Sequence, residues 1–136
     1  MRTLIVQSNY ALGQVWARHL ERLGSLVQHV STGEEAIDAI QDMHFDVIVL
    51  DLVLSQGSAL AVADYANFSC PNANVVFVTD TTFFSDGSIF VHSSNARAFI
   101  ECATPPKDLA AIVLHYGQDA SRAHAAQNNP AVGLSG

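Results

Sequence analysis

In the stretch Phe45-Asp46-Val47-Ile48-Val49-Leu50-Asp51-Leu52-Val53-Leu54, four apolar residues in succession run directly into a carboxylate. A strand with one wet face alternates apolar and polar side chains. An unbroken run rich in β-branched residues reads instead as a strand covered on both faces, as in a parallel sheet. Two further runs have the same character: Thr3-Leu4-Ile5-Val6, followed by Gln7, and Val75-Val76-Phe77-Val78-Thr79. Leu26-Val27-Gln28-His29-Val30 and Ala98-Phe99-Ile100-Glu101 are weaker candidates, which brings the predicted strands to five.

Helical patterns fill the intervals. From Ala11 to Leu23, residues Leu12, Val15, Trp16, His19, Leu20 and Leu23 fall on one stripe, and Gly24 is a stop signal. Thr32 caps a second helix whose first turn holds Glu34 and Glu35, where acidic residues are favoured. A third helix spans about Ser58 to Ala66, and a last one follows Pro105-Pro106 as far as Tyr116. Between Thr79 and Ala98 the aromatic and β-branched residues are poor helix formers, so an irregular helical region is expected there, with Phe83, Phe84 and Phe90 around Gly87. One domain over residues 1–116 and a flexible tail over 117–136 follow from the loss of apolar periodicity at Gly117.

Strands alternating with helices predict an α/β fold with a doubly wound five-stranded parallel sheet. Sites in such folds lie at the carboxyl edge, near the reversal of strand order. Gln7-Ser8-Asn9, Asp51, Thr79-Asp80 and Cys102 stand at that edge.

Composition narrows the functional classes. Hydrophobic residues make up 49% and charged residues 14%, which excludes a disordered chain. The net charge is -7, and the six lysines and arginines are scattered along the sequence, so nucleic acid is not an expected partner. No apolar run approaches the roughly 20 residues that span a bilayer, and no signal peptide precedes the first strand. No membrane association and a cytoplasmic location are therefore expected. Cys70 and Cys102 lack metal-type spacing and are expected as free thiols, with Cys102 a small buried apolar residue. The six histidines show no metal-ligand pairing.

Over residues 1 to 116 the sequence resembles the receiver domains of two-component response regulators. The stretch Phe45 to Leu54 resembles their third strand with its phosphoacceptor aspartate, here Asp51. Val76-Phe77-Val78-Thr79 is similar to the fourth strand, and Pro106 to Leu109 resembles the start of the final helix. The resemblance implies a flavodoxin-like receiver fold without enzymatic activity, with Asp51 as phosphoacceptor candidate. Thr79 would then bond the phosphoryl oxygens and Phe99 would repack as the switching aromatic residue.

Several positions depart from the pattern. Gln7 and Ser8 stand where the family has magnesium-binding carboxylates, which with Asn9 leaves a degenerate acidic pocket. Cys102 replaces the lysine, and a thiol supplies no ammonium for a phosphoryl group. Magnesium at Asp51 is thus expected to bind weakly, if at all. Asp80 adds a nearby negative charge. The expected function is an atypical single-domain receiver in phosphorelay signalling, acting through protein contacts. Its expected partners are a histidine kinase, another signalling protein or a second copy. The alternative is a flavodoxin-like protein binding a phosphorylated ligand or cofactor at the same edge, with Ser8, Asn9 and Thr79 as phosphate contacts.

Overall fold

The computed structural model describes residues 1–79 and 96–127, with side chains described for 1–79 and 99–118. Five strands and four helices are described: β1 (Arg2–Val6), α1 (Tyr10–Arg22), β2 (Leu26–Val30), α2 (Gly33–Asp42), β3 (Val47–Asp51), α3 (Ala59–Ser69), β4 (Asn74–Thr79), β5 (Ala96–Glu101) and α4 (Pro106–Gln127). The strands form one parallel sheet in the order β2-β1-β3-β4-β5. The order reverses between β1 and β3, so the crevice beyond their carboxyl ends lies between Gln7 and Asp51.

Alternation along each central strand divides the core into two layers. Ile48 and Leu50 pack with Leu4, Val6, Val75 and Phe77 beneath α2 and α3. Val47 and Val49 pack with Ile5, Val76 and Val78 beneath α1 and α4, where Trp16 is fully buried. Continuous apolar runs are needed because both faces of β1, β3 and β4 are covered. Edge strand β2 has no such need, and Leu26 and Gln28 are exposed.

The helix starts follow local chemistry. The Thr32 hydroxyl accepts from Glu35 N at 3.1 Å, and Glu35 Oε1 accepts from Thr32 N at 3.2 Å, a capping box. Ser58 Oγ accepts from Ala61 N at the start of α3. Asn74, buried at the start of β4, donates to Tyr116 O at 2.8 Å and ties the final helix to the sheet.

Three expectations need correction. Leu23 is not on the buried stripe of α1: it is the helix C-cap and is 48% exposed. The final helix does not stop near Tyr116 but continues to Gln127, because alanine, glutamine and arginine favour helix even without an apolar stripe. The predicted tail from Gly117 is therefore helical over its first part, and residues 128–136 lie outside the described residues. Strand β5 begins two residues earlier than predicted, at Ala96. The irregular region with Asp80, Phe83, Phe84, Gly87 and Phe90 also lies outside the described residues.

Candidate functional site

Asp51 ends β3, half-buried, with both carboxylate oxygens engaged. Oδ1 accepts from Val53 N at 2.8 Å, which closes the turn after the strand. Oδ2 accepts from Gln7 Nε2 at 2.7 Å, a charge-assisted hydrogen bond. The other end of the same amide, Gln7 Oε1, accepts from Asn9 N at 3.0 Å. A backbone donor on one side and a carboxylate acceptor on the other fix which end of the Gln7 amide is nitrogen. Gln7 is only 3% exposed.

A further layer holds Gln7 in place. His29, on the neighbouring strand β2, donates from Nε2 to the Gln7 carbonyl at 3.0 Å. Its Nδ1 is therefore free to accept from Gln14 Nε2 at 3.1 Å. Tyr10 stacks on the same ring, with centroids 5.5 Å apart. The ring lies close against Gly13, where any Cβ would collide with it. A glycine inside a helical pattern signals a close approach of this kind, and Gly13 was the available clue to His29.

Ser8 has a structural task. Its hydroxyl donates to Ser31 O at 3.0 Å and accepts from Ser55 N at 2.9 Å, joining the loops that follow β1, β2 and β3. Gly33 N donates to Gln56 O at 3.1 Å, a second tie between the loop after β3 and the start of α2. Asn9 spends its side-chain oxygen on Leu12 N as the N-cap of α1.

Gln7, Asn9, Leu12, Asp51, Val53, Thr79 and Cys102 line one open pocket of about 280 Å³. Of the predicted site residues, Gln7, Asn9, Asp51, Thr79 and Cys102 are thus brought together, while Ser8 faces the loops, Phe99 lies apart and Asp80 lies outside the described residues. Thr79 is buried at the end of β4, and its carbonyl accepts from Cys102 N at 2.8 Å. Phe99 is half-buried and stacks on Phe77 with centroids 5.0 Å apart, on the side of the sheet that carries α2 and α3. Cys102 is a free thiol as expected but is exposed, not a buried apolar residue, because it lies just beyond the last residue of β5. Cys70 is free and buried.

The described lining offers magnesium a single carboxylate. A hard dication seeks several oxygen ligands with negative charge among them. Among the described residues Asp51 is the only charged side chain in the lining, and the Gln7 amide presents an N–H donor to it. No cluster of three or more histidines, cysteines and acidic residues able to hold a metal occurs among the described residues. Among the described residues the lining also contains no lysine or arginine to face a phosphoryl group. No helix among the described residues is long and apolar enough to cross a membrane.

No family model and no curated relative matches the sequence. Solved structures do match. A protein described as an adenylate cyclase from Rhodopirellula baltica is 20% identical with a TM-score of 0.83, over 93% of this chain and 94% of that one. The signal receiver domain of a LuxO repressor protein from Vibrio parahaemolyticus is 22% identical with a TM-score of 0.78, over 91% and 95%. The response regulator TrrA from Thermotoga maritima, solved in complex with Mg(2+)-BeF, is 21% identical with a TM-score of 0.73, over 85% and 97%. At such identities the likeness is one of architecture, and the architecture of this chain is that of the response-regulator receiver domains.

Proposed function

We propose that this protein is a receiver-type module of two-component signalling in which hydrogen bonds have taken the structural place of the metal. It acts through protein contacts, with weak or no phosphorylation of Asp51. The observation that carries this reading is the 2.7 Å bond from the buried Gln7 amide to Asp51. A neutral donor satisfies the carboxylate where a metal-binding receiver would need further oxygen ligands, and it does so without a cation to offset a phosphoryl group. The Ser8 hydroxyl supports the same reading, since it joins three loops by hydrogen bonds at the mouth of the site.

In this role the protein is not an enzyme but a binding partner in the cytoplasm, for a histidine kinase, another signalling protein or a second copy. The alternative of a flavodoxin-like phosphate site loses support from the same contacts. Ser8 and Asn9, two of its three phosphate contacts, already use their side-chain oxygens on backbone groups.

The test is incubation with a small phosphodonor and magnesium, followed by intact mass measurement of the wild type and of Asp51→Asn. The expected result is no adduct, or a trace one, that depends on Asp51. A stoichiometric Asp51-dependent phosphate adduct would overturn the metal-free reading and restore ordinary phosphotransfer.

A further inference from the structure

Lysine and arginine are absent between Leu23 and Ala96, although most of the chain's 13 acidic residues fall in that interval. The fold converts this sequence asymmetry into a difference between two faces. Helices α2 and α3 cover one side of the sheet, while α1 and α4, which carry Arg18, Arg22 and Lys107, cover the other. Arg18, Arg22 and Lys107, apart in the sequence, thus share one helical layer, while Arg2 on β1 lines a separate pocket with Met43 and Phe45.

Each layer carries a charged feature that its own helices account for only in part. Glu34 suits the first turn of α2 and His19 and Arg22 the last turn of α1, whereas Asp38, Asp42 and Lys107 have no such role. On α2, the exposed residues Glu34, Asp38 and Asp42 recur every four positions and form a stripe of like charge. Like charges at that spacing destabilise a helix, and Asp42 also opposes the helix dipole at an end with no basic residue. On the other side, His19, Arg22 and Lys107 surround an apolar floor of Leu23, Ala110 and Ala111 in a groove between α1 and α4. Glu21 and Asp108 lie on the same helices but outside that lining. The acidic layer carries an apolar anchor of its own, Phe68 on α3, which is 86% exposed.

We propose that copies of this chain associate head to tail, the acidic α2 and α3 face of one seating on the groove between α1 and α4 of the next. Charge complementarity between the two faces selects a second copy as the occupant. Because the faces lie on opposite sides of the sheet, the contact is heterologous: each bound copy leaves its own groove or acidic face open for another. The association does not depend on the chemistry at Asp51, which lies at the strand-end edge between the layers.

Sedimentation velocity over a concentration series tests this, with two double variants checked for folding by circular dichroism. Arg22→Glu with Lys107→Glu removes the basic groove, and Asp38→Lys with Asp42→Lys removes the acidic stripe while favouring the α2 dipole. The wild type is expected to grow in mass with concentration, with association weakened about tenfold or more on raising salt from about 0.1 M to about 1 M. Each variant alone is expected to be monomeric, and their equimolar mixture to form a one-to-one dimer that grows no further. A wild type that stays monomeric into the millimolar range, variants that each still self-associate, or a mixture that forms no complex would each overturn the proposal.

Discussion

The proposed reading of the site rests on Gln7 as much as on Asp51, since the two share a 2.7 Å hydrogen bond. Position and strand context at Asp51 are legible in the sequence, because a carboxylate after four apolar residues has few other places in an α/β fold. The geometry of Gln7 is not legible, since an amide can donate, accept or face solvent, and only the packed neighbours determine which. Replacing Gln7 by alanine removes a donor from Asp51 and an acceptor from Asn9 N, so Gln7→Ala is expected to lower stability by about 1–3 kcal/mol in urea denaturation. Gln7→Glu is expected to be less stable than the wild type in metal-free buffer, because it sets a second carboxylate against the first. Added magnesium should restore part of that loss in the variant, read as a rise in Tm.

At the scale of elements, caps and turns were the most readable features. Thr32 with Glu35 three residues later is a sequence signature of a helix start, and the capping box is present. Removing it by Thr32→Ala is expected to cost about 1 kcal/mol, measured by chemical denaturation. The tie between the loop after β3 and the start of α2 was not readable, because it joins residues through backbone groups. It depends on Gly57, which has φ +89°, and any Cβ there would come within 3.0 Å of the Gly33 backbone. Gly57→Ala is therefore expected to destabilise by about 1–3 kcal/mol, against a few tenths for an ordinary surface substitution. The length of α4 was missed for a different reason: apolar periodicity marks the part of a helix that packs on the sheet, and α4 continues past it to Gln127.

At the scale of the whole molecule, two core layers share one sheet, so neither can be lost without exposing the other side of β1, β3 and β4. Trp16, the only tryptophan, reports on the layer beneath α1 and α4, while far-ultraviolet circular dichroism reports on both layers. The two signals are expected to change together in denaturant. A fluorescence transition at lower denaturant would mean that the layers unfold separately. The central claim is that an amide occupies the structural place of a metal beside Asp51. Its most direct test is a magnesium titration followed at the Gln7 side-chain NH₂ resonances by NMR. Those resonances are expected to stay unmoved at millimolar magnesium, and a saturable shift with loss of the Gln7 to Asp51 bond would contradict the account.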